Sequence, residues 1–454
     1  MDIQSIAKKI ITLCEKKAGA TQAEAYLVTA KTSSVYIDDG IPKITDAKQE
    51  TGVGVKFIIG KKIGYTSSTL LGETIEDVIA RAKSIAQMSN EDEKFKTLPE
   101  SKSSSIPIDK FYHKETAEID SSSLMEKTML LVNAATDDKV TVPNGVLRTS
   151  SIEFCVGNSL GVDARSKSTM VFGFFTAMSE DAGQVGEGVQ RCWSRNIDSI
   201  NFAEIGKKLN SQAKGVLTAQ PFKERWEDIT TVIAPSEGSE LIITLIGSVT
   251  SGENVNTGSS PWADKIGEAV AYENITIVDN GLSDMGLLSS SVDDEGTPSQ
   301  TTSLVVDGVL KSYILDSYNA GQMDLPSTGN GIRRNPRDAQ GRFTFAAGCR
   351  ATTLELKPGT KSFDEVIGEI KRGVFVEHFA YPNVDPVTGA FSNEIRNACL
   401  IENGELTSQV KYALWVGNLF ESLKKEVLLT SDVEVHNKCV LPTVAFSGTE
   451  LVGQ

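Results

Sequence analysis

The stretch Leu304-Val305-Val306-Asp307-Gly308-Val309-Leu310 places a two-residue Asp-Gly turn between two short apolar runs. Asp and Gly tolerate the left-handed backbone that a tight hairpin turn requires, so this pattern predicts two antiparallel strands. The same arrangement recurs where Asn403-Gly404 separates the runs 399–401 and 406–413. Because neither a strand–helix–strand rhythm nor a repeat of fixed period accompanies these hairpins, the second half of the chain is predicted to be strand-rich and antiparallel.

Helical periodicity of apolar residues marks further segments along the whole chain. Ser236 and Ser362 are predicted to cap two of these helices, because a serine hydroxyl can accept a hydrogen bond from a free N–H group of the first turn. The predicted helices cover residues 3–18, 74–88, 122–136, 201–216, 236–249, 363–372 and 416–426. The mixture indicates an α+β fold: an N-terminal mixed α/β domain with antiparallel strands, and a strand-rich antiparallel C-terminal domain with flanking helices.

Changes in composition divide the chain at two places. Residues 90–108 are polar, rich in Ser, Glu and Lys, and contain two prolines, which is typical of a surface linker. The character changes again near Pro221, where a strand-rich sequence begins. We therefore expect an N-terminal domain over residues 1–220, with the linker near 90–108 and a central subdomain over 109–220, and a C-terminal domain over 221–454.

The composition is that of a folded, acidic protein. Of the 454 residues, 40% are hydrophobic, and 60 Asp and Glu residues outnumber 45 Lys and Arg residues to give a net charge of −15. Direct binding to duplex DNA is disfavoured, because phosphates repel an acidic surface. The six cysteines form no CxxC pair, the N-terminus lacks a signal-peptide pattern, and no apolar run approaches the roughly 20 residues that cross a bilayer. We expect a soluble cytoplasmic protein that binds neither nucleic acid nor membrane.

Histidine is too scarce to build a conventional metal site. Only His113, His378 and His436 occur, and no HExxH or HExxxH motif can be written with them. His436 and Cys439 stand three residues apart, a spacing that suits a metal, but a structural zinc site needs two more ligands. The sequence thus predicts no catalytic and no metal-binding residue, and we interpret His436 as a surface histidine beside a buried cysteine.

Three glycine-containing stretches are interpreted as turns, bulges or close approaches of the backbone. Gly157-Asn158-Ser159-Leu160-Gly161 matches the G-x-S-x-G of serine hydrolases, but it leads into a strand where that motif requires a helix. Gly52-Val53-Gly54 and Ser327-Thr328-Gly329-Asn330-Gly331 lack the G-K-[ST] continuation of a phosphate-binding loop. These stretches therefore predict neither a nucleophile nor a phosphate site.

Two charged segments lie on either side of the stretch 327–331 in the sequence. Asp293-Asp294-Glu295 stands directly before Gly296-Thr297-Pro298, and paired carboxylates of this kind can serve acid–base chemistry or bind a hard cation. Since Gly and Pro close the segment at once, a solvated loop is the favoured interpretation. Arg333-Arg334 could hold a carboxylate, but we expect an exposed and solvated pair.

Several segments in ordered succession resemble the TldD/PmbA family, whose members are also labelled modulators of DNA gyrase. The resemblance opens with Ser34-Val35-Tyr36-Ile37-Asp38-Asp39-Gly40 and Gly52-Val53-Gly54-Val55. It continues through Asp294-Glu295-Gly296-Thr297-Pro298, Asp307-Gly308-Val309-Leu310-Lys311-Ser312-Tyr313, Ser327-Thr328-Gly329-Asn330, Gly373-Val374-Phe375-Val376, Asp385-Pro386-Val387-Thr388-Gly389, Leu400-Ile401-Glu402-Asn403-Gly404 and Gly417-Asn418-Leu419. Together these segments extend over nearly the whole chain.

The resemblance includes one departure. In the TldD branch of the family a helix carries HExxxH, and a distal cysteine completes a zinc site. Here the matching helix is 236–249, and the mainly apolar Ile242-Ile243-Thr244-Leu245-Ile246-Gly247 stands about where that motif would be, with Cys439 near the position of the cysteine. Apolar side chains cannot ligate a metal. The chain therefore resembles the PmbA (TldE) branch, which implies no cofactor in this chain and zinc only in a partner subunit.

That branch implies a non-catalytic partner subunit of a TldD-type metallopeptidase complex that degrades or processes peptides, as a heterodimer or, without that partner, a homodimer. Exposed strand edges of the C-terminal half could hold an extended peptide substrate. The candidate peptide-binding residues are Asp294, Glu295, Gly296, Ser327, Thr328, Gly329 and Asn330. Two alternatives stay open: an independent metallopeptidase with an atypical site at His436 and Cys439, and a protein-binding regulator of DNA gyrase.

Overall fold

The computed structural model describes residues 2–69, 74–102, 104–181, 183–335, 337, 339 and 341–453. Two large sheets organise these residues, one of six strands in the N-terminal half and one of twelve strands in the C-terminal half. Helices flank both sheets. The predicted α+β class, with antiparallel sheets and flanking helices, is confirmed.

The N-terminal sheet is antiparallel throughout and has the strand order β3-β2-β1-β4-β5-β6. Its strands are β1 (Gln22–Asp38), β2 (Ile41–Ile59), β3 (Lys62–Ser68), β4 (Val140–Asn158), β5 (Asp163–Asp181) and β6 (Gln184–Ser194). The central pair, β1 and β4, runs from Glu24 opposite Asn158 to Asp38 opposite Asn144. Since β1 precedes the polar segment 90–108 and β4 follows it, one sheet joins the sequence on both sides of that segment.

Helices of the N-terminal half pack on this sheet and against one another. They are α1 (Ile3–Leu13), α2 (Ile75–Met88), α3 (Lys114–Ala117), α4 (Ser121–Ala135) and α5 (Phe202–Thr218). The helix predicted for residues 3–18 changes at Cys14 into a π-helical turn, which ends at Gly19 with a φ of +80°. Thr74 and Asp77 form a capping box that fixes the start of α2.

The polar segment after α2 is held down by two apolar side chains. Phe95 and Leu98 are buried in a small cluster with Ile58 of β2. The backbone N–H of Leu98 also donates to Oε1 of Gln22 on β1, at 2.9 Å. Burial of each side chain contributes about 1.5–3 kcal/mol, so the expected linker is attached to the N-terminal sheet.

The twelve-stranded sheet contains the strands β7 to β11 and β14 to β20, while β12 and β13 form a separate two-stranded sheet. The bounds are β7 (Gln220–Pro221), β8 (Arg225–Ile233), β9 (Ile277–Asn280), β10 (Thr301–Val306), β11 (Val309–Leu310), β12 (Gly331–Ile332), β13 (Gly348–Cys349), β14 (Leu354–Leu356), β15 (Arg372–Phe379), β16 (Ala390–Glu402), β17 (Glu405–Lys411), β18 (Ala413–Asn418), β19 (Val427–His436) and β20 (Cys439–Gly453). Most neighbours are antiparallel, but β15 beside β8, β14 beside β20 and β17 beside β7 are parallel.

Both predicted hairpins are confirmed. Asp307-Gly308 joins β10 to β11, and Asn403-Gly404 joins β16 to β17. All four turn residues have a positive φ, from 48° at Asp307 to 84° at Gly404. The turn residues therefore adopt the left-handed backbone that their chemistry permits.

Short helices accompany α6 in the C-terminal half. The bounds are α6 (Pro235–Val249), α7 (Gly252–Asn256), α8 (Ser317–Gln322), α9 (Phe363–Gly368) and α10 (Leu419–Leu423). The predicted cap at Ser362 is confirmed, since it forms a capping box with Glu365. The predicted cap at Ser236 is wrong: Ala234 precedes α6 without a side-chain cap, and Pro235 lies in the first turn. Proline suits that position because its fixed φ is helical and it has no N–H to satisfy.

Helix α6 contributes a buried apolar face to the C-terminal core. Leu241, Leu245 and Ile246 lie in the same core cluster as Phe379 and Trp415, and each is at most 1% exposed. Among the described residues, no helix combines the length and apolarity that a membrane crossing requires. Helix α6 is thus fixed by packing on the twelve-stranded sheet.

Candidate functional site

The acidic segment Asp293-Asp294-Glu295 is buried where the two sheets meet. Each of the three residues is at most 2% exposed, so the expected solvated loop is wrong. Asp294 Oδ2 accepts hydrogen bonds from the backbone N–H of Arg333 at 2.6 Å and from Nε of Arg334 at 3.1 Å. Burial of a charge is tolerated here because the charge is paired and hydrogen-bonded.

The basic pair Arg333-Arg334 is buried as well, which corrects the expected exposed pair. Arg333 Nη2 lies 2.6 Å from Glu24 Oε1 on β1, and its guanidinium lies 4.5 Å from the ring centroid of Tyr26. The guanidinium of Arg334 pairs with Asp294. An exposed pair was expected because sequence neighbours give no sign of a counter-ion about 300 positions away. We call Glu24, Asp294, Arg333 and Arg334 the junction network.

The two remaining carboxylates of the segment shape its turn. Asp293 Oδ1 accepts from the backbone N–H groups of Glu295 at 3.0 Å and Thr297 at 2.8 Å. The Glu295 carboxylate accepts from the backbone N–H of Ser317 at 2.8 Å and from its hydroxyl at 2.7 Å. Burial raises the pKa of Glu295 to about 7, and burial together with the nearby Glu295 raises the pKa of Asp293 above its usual range. These groups favour the protonated form at neutral pH far more than an exposed carboxyl would.

The second predicted peptide-binding stretch, residues 327–330, lies beside the first. The Thr328 hydroxyl donates to Asn330 Oδ1 at 2.6 Å, and Asn330 Nδ2 donates to Asp279 Oδ2 at 2.5 Å. Ser327 Oγ donates to the carbonyl of Leu315 at 3.1 Å. The two stretches therefore converge, and their polar groups are largely engaged within the protein.

Exposure differs among the seven predicted peptide-binding residues. Ser327 and Thr328 are half-buried, and the other members are buried. Gly329 has a φ of +75°, and a Cβ there would lie 2.8 Å from the carbonyl oxygen of Pro298. Glu295 alone among the seven lines a cavity of about 370 Å³, together with Lys56 and Asp316. Peptide binding at these residues stays a prediction.

The G-x-S-x-G stretch is the turn between β4 and β5, as expected. Ser159 Oγ accepts a hydrogen bond from the backbone N–H of Ala23 at 3.0 Å, and Gly161 has a φ of +90°. Gly52 and Gly54 are close-approach glycines, since a Cβ would lie 2.1 Å from the Phe343 ring or from the Tyr65 hydroxyl respectively. These glycines serve packing.

The family named above implies a metal, and the described residues do not fit one. Ile242, Leu245 and Ile246 of α6, in the stretch expected to match HExxxH, are at most 3% exposed and pack into the core. Cys439 lies against α6, with Sγ 3.7 Å from the carbonyl of Ser239, and burial raises the pKa of its thiol well above the usual range. Within the part of the chain that the structure describes, no group of three or more His, Cys, Asp and Glu side chains could hold an ion.

His436 and Cys439 close the β19–β20 hairpin as a directly opposed pair. His436 is only 8% exposed, so its predicted surface location is wrong, whereas Cys439 is buried as predicted. Nε2 of His436 lies 2.7 Å from Glu434 Oε2. The histidine is therefore oriented by a carboxylate two residues away and not by the cysteine.

A second cavity, which we call the β6 groove, lies between the two sheets on the side of His436. Its volume is about 510 Å³. Its charged lining residues are Arg191, Lys208, Glu377, Asp432 and Glu434, and Gln190, Gln409 and His436 also line it. Asn397 Nδ2 donates to Glu377 Oε2 at 2.6 Å, and burial raises the pKa of Glu377 above its usual range. The groove thus brings acidic and basic side chains from both halves together.

A buried carboxylate supports one end of the β6 groove. Glu237 of α6 is 1% exposed and lies 3.2 Å from Arg191 Nη1 and 3.3 Å from His378 Nδ1. Its Oε2 accepts from the backbone N–H of Phe379 at 3.0 Å. Although burial opposes ionisation, these partners lower the pKa of Glu237, so it stays charged.

The β6 groove was missed by sequence reasoning, and one signal could have drawn attention to it. Glu377 follows Phe375 by two positions on the same strand, so a carboxylate shares a face of β15 with an aromatic side chain. A charged residue in such a position needs a partner or a ligand. Its partners are Asn397 of β16 and, on α5, Gln212 and Lys208, and no local pattern connects these elements.

Comparisons with known proteins agree along the chain. The model of the PmbA/TldA metallopeptidase C-terminal domain matches residues 227–453, and the models of domain 1 and the central domain match residues 23–86 and 115–217. The chain is 29% identical over 445 residues to an uncharacterized protein of Methanocaldococcus jannaschii, covering 97% of this chain and 98% of that protein. It is 26% identical over 432 residues to a metalloprotease TldD homolog of Haemophilus influenzae, covering 91% and 86%.

A solved structure has the same fold. TldE from Thermococcus kodakarensis matches with a TM-score of 0.87 at 22% sequence identity, covering 98% of this chain and 99% of that chain. The matched ranges include most of the N-terminal sheet and the C-terminal unit from within β8 onward. The chain belongs to the TldD/PmbA family of metallopeptidases.

Proposed function

We propose that this chain is a non-catalytic partner subunit of a TldD-type metallopeptidase complex that degrades or processes peptides in the cytoplasm. The observation that carries the proposal is the apolar face of α6. Where the family resemblance expects HExxxH, α6 presents Ile242, Leu245 and Ile246 to the core. A zinc peptidase needs three protein ligands and an activated water at such a helix.

The distal cysteine does not restore a site by itself. The Cys439 thiol is buried and its pKa is raised, so the thiolate that binds a metal is disfavoured. No described carboxylate or imidazole joins it in a group able to hold an ion. In this proposal the zinc is bound by a TldD-like partner, and the present chain contributes binding surface for the peptide.

Metal content tests the proposal directly. Elemental analysis of the purified chain alone should find no zinc, whereas the chain co-expressed with the TldD-type protein of the same organism should co-purify with it and contain about one zinc per heterodimer. His436→Ala and Cys439→Ser should leave that metal content unchanged. The TldD-type protein purified alone is the control for the metal that it contributes.

One zinc per isolated chain, lost in the His436→Ala or Cys439→Ser variant, would overturn the partner role in favour of an atypical metallopeptidase. A second candidate function is the regulation of DNA gyrase. Because the net charge of −15 disfavours DNA binding, such a regulator would bind the gyrase protein itself. A pull-down that recovers gyrase and no TldD-type protein would support that candidate instead.

A further inference from the structure

The β6 groove has an open strand edge as one wall. Among the described strands, β6 pairs only with β5, so its other edge is unpaired. Val189, Gln190 and Arg191 are consecutive and all line the groove. Because successive side chains of a strand point to opposite faces, three consecutive lining residues mean that the edge of β6 borders the groove. An edge of this kind offers backbone N–H and C=O groups to an added strand.

The opposite wall is the face of the twelve-stranded sheet. Phe375 and Glu377 alternate on β15, and Glu434 and His436 alternate on β19, and all four line the groove. This face supplies side chains and not an edge. A ligand in the groove would therefore meet backbone groups on one side and carboxylates on the other.

The charges of the groove favour a cationic group. Glu377, Asp432 and Glu434 line it, against Lys208 and Arg191. Arg191 is already engaged by Glu237, which lies behind the groove wall. Three carboxylates thus face Lys208 and the His436 ring that lies 2.7 Å from Glu434, so the groove keeps an acidic excess and an ammonium group is the complementary charge.

Two buried acceptors at the groove have no partner. Nδ1 of His436 and Oε1 of Gln409 are buried and make no hydrogen bond, although both residues line the groove. In the tautomer that carries its proton on Nε2, which faces Glu434, Nδ1 of His436 is an acceptor. An unpaired buried acceptor destabilises the protein, and a small side-chain rotation towards a bound N–H donor would remove that penalty.

We propose that the β6 groove binds an extended peptide, which adds to the edge of β6 and places an ammonium group between Glu377 and Glu434. This inference rests on the proposed function and names where this subunit holds the peptide. The ammonium group is either the free amino terminus or a lysine side chain, and the two share the chemistry that the carboxylates recognise. The site differs from the residues 294–296 and 327–330 expected from sequence.

Binding of a defined peptide tests the inference. The probe is Lys-Val-Thr-Val-Thr-Val, labelled at its C-terminus, titrated with the full chain alone and with its co-purified complex in a fluorescence anisotropy assay. Glu377→Gln and Glu434→Gln should each weaken binding on the order of tenfold, because each removes one carboxylate from the ammonium. Glu405→Gln, an exposed change on β17 outside the groove, is the matched control and should leave affinity unchanged. Circular dichroism melting of each variant establishes that it is folded.

Peptide variants separate the contacts. Methylation of alternate backbone amides should weaken binding on the order of tenfold if the peptide pairs with the β6 edge. Acetylation removes the ammonium group of the amino terminus, and replacement of lysine by norleucine removes that of the side chain. Only the change that removes the bound ammonium should make peptide affinity independent of Glu377 and Glu434. A peptide with glutamate in place of lysine and an acetylated terminus should bind weakest.

Two results would overturn the inference: affinity unaffected by both glutamate substitutions, or no binding of any probe by the chain or its complex. Zinc content and co-purification are measured on the same samples. If the chain co-purifies normally with its partner but peptide affinity does not depend on Glu377 and Glu434, only the proposed binding site in the groove is overturned. Intrinsic zinc in the isolated chain, with that dependence intact, overturns only the partner role.

Discussion

The junction network and the β6 groove both gather carboxylates between the same two sheets, yet they use them differently. In the junction network Asp294 and Glu24 are at most 1% exposed, and each meets an arginine. In the groove the Glu434 side chain is 54% exposed, and its ion-pair partner is a histidine, His436, at 2.7 Å. A buried carboxylate that pairs with an arginine holds a structure together, whereas a solvent-facing one keeps part of its hydrogen-bonding capacity open to a ligand.

Breaking the junction network should have the largest effect. Arg333→Ala leaves the Glu24 carboxylate without its 2.6 Å partner at a site that is almost fully buried. We expect the free energy of unfolding to fall by about 3–5 kcal/mol, measured by urea denaturation. Lys361→Ala is the control, because its pair with Glu369 is 45% exposed on both sides and should cost less than about 1 kcal/mol. A loss at Arg333 no larger than that of the control would contradict the structural role of the pair.

A smaller, pH-dependent effect should come from Glu295. Its pKa is about 7 in the folded protein against an ordinary value of 4.5, so the protonated form is favoured by folding. The stability this contributes is full below pH 4.5 and is lost as the pH rises through 7. Relative to Glu295→Gln, which mimics the neutral acid, the parent chain should lose about 3 kcal/mol between pH 4.5 and 8. Parallel stability curves for the two proteins, from denaturation at several pH values, would refute this.

The smallest effect on stability should be in the groove. Glu434→Gln removes a half-exposed charge while keeping an acceptor for His436, so the free energy of unfolding should change by less than about 0.5 kcal/mol. Thermal and urea denaturation measure it. A change comparable to that of Arg333→Ala would mean that the groove carboxylates are structural, and the contrast between the two regions would fail.

Local chemistry made much of the fold predictable. Asp307-Gly308 and Asn403-Gly404 specify their hairpins through backbone conformations that only neighbouring residues decide, and the Ser362 cap is equally local. The predicted cap at Ser236 was wrong because α6 already begins at Pro235, a residue that suits the first turn of a helix.

The environment of the candidate sites could not be predicted in the same way. Asp294 is buried because it pairs with Arg334, forty positions away, and contacts a strand of the N-terminal half. The residues next to it in sequence show neither contact, and they favoured the incorrect prediction of a solvated loop. Glu377 likewise meets its groove neighbours only after α5, β6 and β19 assemble. The family resemblance identified the absent metal motif, since that depends on residue type along one helix.

The pairing of β1 with β4 bears on how this molecule can be divided. The family models separate residues 23–86 from residues 115–217, but the two stretches share a continuous ladder from Glu24–Asn158 to Asp38–Asn144. Cutting the chain in the intervening polar segment would give two fragments, each with a long unpaired strand edge that is complementary to the other. Such fragments are suited to reassembly by strand complementation, so the split protein could report when two proteins fused to the fragments come together. For the same reason the polar segment is a poor boundary at which to express either part as an independent domain.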